Sequence, residues 1–438
     1  MARPERSTAK PLSINPFQTS QAIGGVLALQ GIFRSIPVLH GAQGCAESVQ
    51  TVLSRHFREP ISIQNIAIHE QNLIFGGGEG IREMIRHVMS RHNPDVIALV
   101  GTSLTKVVGE DLLGIADDYF RHNKEMFKDK LMFGLYLPDY EGSMESGYAK
   151  TVFSVIQKIM QSGRKTVRKK KRNRINLLPG AHMTPGDVME LKEIIASFDL
   201  EVIVLPDLSS SLTGHLMTGH TALSRGGVPL DYMREMLASA YTVALGKSME
   251  PCARLLHEGL QIPYLVFNGV TGLRESDEFF LFLRQFSQSE GENKYRWQRQ
   301  FLLDCMLDTR SVFRGRRIAA ALEPDHLVAL YQCLSELGIR SFRSVISAPS
   351  PSVDALPEVP LLGDLDDLER IAAAGADLWI SNSYGQQTAR NNNIPYIPLG
   401  FPVFNRFGAA ARTTAGYRGT AELLNDLANT LNSKGRIS

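Results

Sequence analysis

Short apolar runs recur along the chain, each ending in a glycine or polar turn and leading into a stretch with helical spacing. DVIALVGTSLTKVVGEDLLGIADDYF (95–120) is the clearest early case. Residues 96–100 read as a buried strand and 101–103 as a turn. Val108, Leu112, Leu113 and Ile115 then recur at helical intervals. The same grammar returns at EVIVLPDL (201–208), YTVALGKSMEPCARLLHEGLQIPYLVF (241–267), RRIAAALEPDHLVALYQCLSELGI (316–339) and ADLWISNSYGQQTARNNNIPYIPLG (376–400). Near-continuous apolar strands alternating with amphipathic helices predict parallel sheets covered on both faces, an α/β architecture.

Two charged segments suggest where the chain divides. RKTVRKKKRNR (164–174) precedes the strand-like INLLPG (175–180), and ENKYRWQRQFLLDCMLDTR (292–310) precedes the strand near 318. The expected division is three Rossmann-like α/β domains, 1–172, 173–312 and 313–438, consistent with usual domain sizes. In such sheets ligands collect beyond the C-terminal strand ends. The turns at 101–106, 179–187, 206–215, 246–251, 323–326 and 381–386 are therefore where a site can lie.

Composition narrows the class. Of 438 residues, 43% are hydrophobic and 21% charged, as in a soluble globular protein. Lys plus Arg is 47 against Asp plus Glu 45, a net charge of +2 that gives no reason to expect nucleic acid as a partner. The basic tract at 164–174 has no interleaved aromatics and reads as a solvated surface. The start MARPERSTAKPLS lacks a signal-peptide core, and no run is apolar enough to span a membrane. A cytoplasmic protein is expected. The four cysteines, at 45, 252, 305 and 333, form no CxxC pair. They read as reduced thiols, and this chain alone cannot build a four-cysteine metal site of ordinary spacing.

One of the four stands apart. HGAQGC (40–45) ends an apolar stretch, turns on two glycines and delivers Cys45 at the start of a helical pattern. A thiol there faces the positive end of a helix, which suits metal ligation, while a structural thiol is the plain alternative. With no second cysteine within 200 residues, a cluster here needs ligands from another chain. RHFREP (55–60) follows closely. Its Arg55, His56, Arg58 and Glu59 read either as a solvated, salt-bridged face or as groups acting on a cluster or an interface.

Other candidates are weaker. FGGGEG (75–80) lacks the spacing of a phosphate loop and suggests close backbone packing. His182, Asp207 and His215 sit on turns after strand-like runs, where capping competes with metal or proton chemistry. Cys252, Cys305 and Cys333 each fall within an apolar helical stripe and read as core thiols. Ser209–Ser211 and Ser248 lack any nucleophile-elbow context. No catalytic acid and base pair is assigned.

Read in order, LSINPFQTSQAIGGVLALQGI (12–32), PVLHGAQGCA (37–46), RHFREPI (55–61), TSLTKVVGEDL (102–112), INLLPGAHMTPGDVMELKEI (175–194), VLPDLSSSLTGHL (204–216), GVTGL (269–273), GDLDDLE (363–369) and GFPVFNRFGAAARTTAGYRG (400–419) form a specific set. Along nearly its whole length the chain resembles the N-subunit family of the nitrogenase iron–molybdenum cofactor biosynthesis complex, within the wider nitrogenase component 1-like group. The resemblance implies three α/β domains and a homologous E-type partner in an α2β2 heterotetramer. It implies an assembly scaffold rather than an independent enzyme. An iron–molybdenum cofactor precursor is held there mainly by the partner, and the nitrogenase iron protein docks transiently to supply molybdenum and homocitrate. It also implies a [4Fe-4S] cluster between the subunits, with three cysteines from the partner and one from this chain, matched by Cys45. The catalytic β chains of the group use three cysteines for an eight-iron cluster. Here Ile63 stands at the second of those positions and Ser103 at the third, and an aliphatic side chain offers iron no ligand atom. The scaffold is therefore expected over the β subunit of a nitrogenase-like reductase with an altered cluster. A vanadium-system scaffold remains a variant of the same expectation.

Overall fold

The computed structural model describes residues 13–68, 78–163, 170–213 and 221–433. Three parallel sheets follow one another along the chain. The first contains β1 (Ser35–Gly41), β2 (Gln64–Ala67), β3 (Val96–Gly101) and β4 (Leu131–Tyr136), in the order β2-β1-β3-β4. The second contains β5 (Lys171–Pro179), β6 (Glu201–Val204), β7 (Ser239–Leu245) and β8 (Tyr264–Phe267), ordered β6-β5-β7-β8. The third contains β9 (Arg317–Ala321), β10 (Ser341–Ile346), β11 (Leu361–Leu362), β12 (Leu378–Ser381) and β13 (Tyr396–Pro398), ordered β11-β10-β9-β12-β13. Because the strands of each sheet are parallel, the turns after them gather at one sheet edge, as the α/β reading requires.

The central strands are apolar on both faces because helices cover both sides. β1 and β3 are buried at every position and pair in register from Ser35↔Val96 to His40↔Gly101. The helix Gln21–Gln30 is buried all round, which its composition dictates: it carries no charged residue to turn toward water. Its apolar side chains share one core with the helix Met144–Gly163 and with Met233, Cys252 and Leu256 beneath the second sheet. The first two sheets are thus joined by a common core.

Local signals account for the helix starts. Thr184 and Asp187 form a reciprocal cap with Pro185 at the first position of the helix Pro185–Ala196. Asp364 and Asp367 do the same for Leu365–Ala373. One expectation needs correction. The basic tract near 172 is not wholly a solvated surface, since β5 begins at Lys171. Arg174 reaches Glu201 at 2.7 Å and Glu235 at 2.6 Å, and Lys171 also pairs with Glu201. These pairs let the cations enter the sheet edge; residues 164–169 of the tract lie outside the described residues.

Candidate functional site

β1 is held between β2 and β3 and ends at Gly41, where the chain turns through residues 42–44. Gly44 has φ +91°, a conformation that costs a side-chain-bearing residue energy, and a Cβ there would meet nothing within 4 Å. The turn is therefore held from within and open toward its outer side. Cys45 N–H donates to Ala42 O at 3.2 Å, and the helix Cys45–Phe57 starts directly. Ala46, Val49, Leu53 and Phe57 line one face of that helix and are buried, so its start is fixed by packing. Cys45 itself is a free, half-buried thiol lying against this core.

Ile63 packs half-buried against the same core and carries no donor atom. Ser103 opens the helix Ser103–Val108, and its Oγ accepts a hydrogen bond from Asp139 N at 2.9 Å. Among the described residues, the one group of three side chains close enough to hold an ion is Asp364, Asp366 and Asp367, which does not include Cys45. A cluster ligated through Cys45 fits this surface only if its other ligands come from elsewhere.

The residues behind Cys45 do more than form a solvated face. Arg55 lies over the Phe404 ring at 4.2 Å and Arg58 over Phe407 at 4.3 Å. His56 Nδ1 accepts from Val403 N at 2.9 Å, and its ring packs edge-on against Phe57 and Phe401. Burial pushes His56 down to about 4, so the ring is neutral at physiological pH. RHFREP is thus only in part a solvated face: Arg55 and Arg58 stay exposed, while their aromatic contacts and the half-buried His56 fasten the Cys45 helix to residues 401–407 within the same chain.

Other candidates find plain roles. Asp207 accepts from Ser209 N at 3.1 Å and pairs with Lys192 at 2.7 Å, a capping arrangement. His182 has no hydrogen-bond partner among the described residues and is pushed by burial to about 4. His215 lies outside the described residues, as do residues 75–77 of the glycine-rich segment. Of its described glycines, a Cβ on Gly78 would lie 3.5 Å from Ile115 Cδ1, and one on Gly80 would meet nothing within 4 Å. Cys252, Cys305 and Cys333 are core thiols, exposed by 0, 5 and 1%.

Sequence reasoning missed two polar clusters. His40 and Glu110, 70 residues apart, meet at the end of β1, with Nε2 and Oε2 2.5 Å apart and the His40 ring buried. Glu145, Glu323 and Asp325 meet between the first and third sheets. Glu145 accepts from Asp325 N at 2.8 Å, and Asp325 accepts from Ser248 Oγ at 2.5 Å. Burial, reinforced by the neighbouring acids, raises Glu145 well above the usual carboxylate range. The segments HGAQGC, VVGEDL and EPDH that carry most of these residues were visible, but nothing local names their partners.

Comparison with known proteins follows the same residues. The family described as nitrogenase component 1 type oxidoreductase matches residues 20–432. A Nostoc protein named nitrogenase iron-molybdenum cofactor biosynthesis protein NifN is 37% identical over 421 residues, covering 96% of this chain and 93% of that protein. The chain belongs to the NifN family. A NifN from Rippkaea orientalis is 36% identical over 438 residues, with 96% and 94% coverage. Among solved structures, a chain of nitrogenase Cp1 at pH 6.5 superposes with a TM-score of 0.88 at 29% identity, over 98% of this NifN-family chain and 95% of that one. The expected component 1-like α/β architecture is therefore observed. No described helix is long and apolar enough to cross a membrane.

Proposed function

We propose that this NifN-family chain is one subunit of the scaffold complex on which the nitrogenase iron–molybdenum cofactor precursor matures, sharing a [4Fe-4S] cluster with a homologous E-type subunit. Cys45 is the single ligand from this chain. The observation that carries the reading is a half-open thiol on a packed helix start, with Ile63 and Ser103 where further thiolates would be needed for a larger cluster. One thiolate cannot hold such a cluster, so the partner supplies the other three. When bound, the cluster supplies one-electron chemistry. This chain's residues fix where it attaches: β1 sets the turn, the buried face of the helix Cys45–Phe57 holds its start, and Arg55, His56 and Arg58 anchor its end.

In this reading the working unit is an α2β2 heterotetramer, the precursor is held mainly by the E-type partner, and the nitrogenase iron protein docks transiently. Iron content and the cluster's electron paramagnetic resonance signal, measured on the co-expressed complex, test it. C45A is expected to lose the shared cluster; unchanged iron and an unchanged signal would rule out the ligand assignment. The likeness to nitrogenase Cp1 favours a second reading, the β subunit of a nitrogenase-like reductase with an altered cluster. Turnover of small reducible substrates by the purified complex, without cofactor transfer to another protein, would select it.

A further inference from the structure

His40 is the residue on which the segments around the Cys45 turn converge. It is the penultimate residue of β1, five positions before Cys45, and its side chain is 1% exposed. Its carbonyl accepts from Thr102 N at 3.1 Å and from Thr105 Oγ1 at 2.5 Å, tying in the turn after β3. Ring Nδ1 lies 3.3 Å from Ile66 O in β2, and Nε2 lies 2.5 Å from Glu110 Oε2. Glu110 is in turn fixed by its carbonyl, which accepts from Tyr136 Oη at the end of β4. Strands β1, β2 and β4 and the turn after β3 thus meet at this pair. The space beside it is closed, since a Cβ on Gly41 would lie 2.5 Å from Thr102 Oγ1.

The charge is as confined as the geometry. Glu110 Oε1 is buried with no hydrogen-bond partner among the described residues, and its other oxygen meets His40 Nε2. Both ring nitrogens face oxygen atoms, Nδ1 the Ile66 carbonyl and Nε2 the Glu110 carboxyl group. Removing one member of a buried hydrogen-bonded pair leaves the other unsatisfied, which costs the desolvation of that group. Hydrogen bonding and charge close to an iron–sulfur site in turn set its reduction potential.

We propose that the His40–Glu110 pair is a positioning element for the cluster ligated by Cys45, fixing the ligand turn and screening the cluster from the Glu110 carboxylate. The proposal rests on the cluster reading above and assigns a role to residues that reading leaves unused. The experiment is a redox titration of the co-expressed complex, followed by electron paramagnetic resonance, on H40Q, E110Q and H40Q/E110Q. Iron content and tetramer assembly are measured alongside. H40Q is expected to lower the midpoint potential, because an unbalanced carboxylate disfavours adding an electron. The double variant, which removes that carboxylate, is expected to return toward wild type. A wild-type potential in H40Q would overturn the proposal. So would a double variant no closer to wild type than H40Q, because the contacts would then be structural only. If H40Q does not assemble, assembly of H40Q/E110Q supports the pair's role, and failure of both overturns it. C45A separates the two layers: a retained cluster there removes the ligand assignment itself, whereas loss in C45A with an unmoved potential in H40Q removes only the positioning role.

Discussion

Two turns in this protein share one grammar and reach different ends. After β1, Gly44 takes φ +91° and Cys45 begins a helix; after β7, Gly246 takes φ +95° and the helix Glu250–Leu260 carries Cys252 in its first turn. At the first turn, a Cβ on the glycine would meet nothing within 4 Å. At the second, it would lie 2.2 Å from Asp325 Oδ2 and 3.2 Å from His182 Cε1. Cys45 remains half-buried, whereas Cys252 is sealed, with Sγ 3.5 Å from Ala149 O and its thiol pushed up to about 12 by burial. The difference lies in what packs over the turn. The Gly246 turn is closed by the helix start at Asp325 from the third sheet, while nothing among the described residues lies over the outer side of Gly44. A cysteine at a helix start is thus left accessible or sealed as a core thiol according to its tertiary cover.

The comparison can be broken in several ways. The largest expected effect is on iron. C252A should keep the iron content of the co-expressed complex where C45A loses the shared cluster, and equal iron in the two variants would erase the functional contrast. Next is backbone strain. G246A should destabilise the chain by about 3 kcal/mol or more, because a left-handed conformation and a clash with a hydrogen-bonded carboxylate add. G44A carries the conformational cost alone, about 1 kcal/mol. Denaturant midpoints of the two variants read that difference, and equal losses would show that the Cys45 turn is also covered.

The closed turn should also be the acid-labile one. His182, against Gly246, is pushed by burial from its ordinary 6.5 to about 4. The unfolded chain binds this proton below 6.5, but the folded chain does so only near 4. The contribution is therefore complete above pH 6.5 and lost as pH falls toward 4, amounting to roughly 3 kcal/mol. Stability measured across that window should fall less steeply in H182F, and an unchanged slope would show that His182 is not desolvated. The smallest effect concerns the far end of the Cys45 helix. R55A should cost about 1 kcal/mol or less, the range of a partly exposed cation–aromatic contact with Phe404. A loss confined to stability, with iron retained, would confirm that Arg55 anchors the helix rather than acting on the cluster.

Much of this was legible where the signal is local. The strand–turn–helix alternation predicted parallel sheets because strands buried on both faces have no polar side to show, and β3 appears where its apolar run stands. Cys252, Cys305 and Cys333 were readable as core thiols from the stripes around them. RHFREP was not readable, because Phe404 lies some 350 residues from Arg55 and no spacing rule links them. The start of β5 was misjudged for a related reason: Lys171 and Arg174 look like surface until Glu201 and Glu235 are placed beside them.

The sequence alone determined the α/β class, the turn that delivers Cys45 and the absence of thiols at Ile63 and Ser103, since each depends on residue type and near-neighbour order. Only the tertiary structure decided which glycine-flanked cysteine is left open, that Arg55, His56 and Arg58 are committed to residues 401–407, and that His40 finds Glu110. Those outcomes depend on burial and on hydrogen bonds between distant segments, which exist only once the sheets have brought their C-terminal edges together.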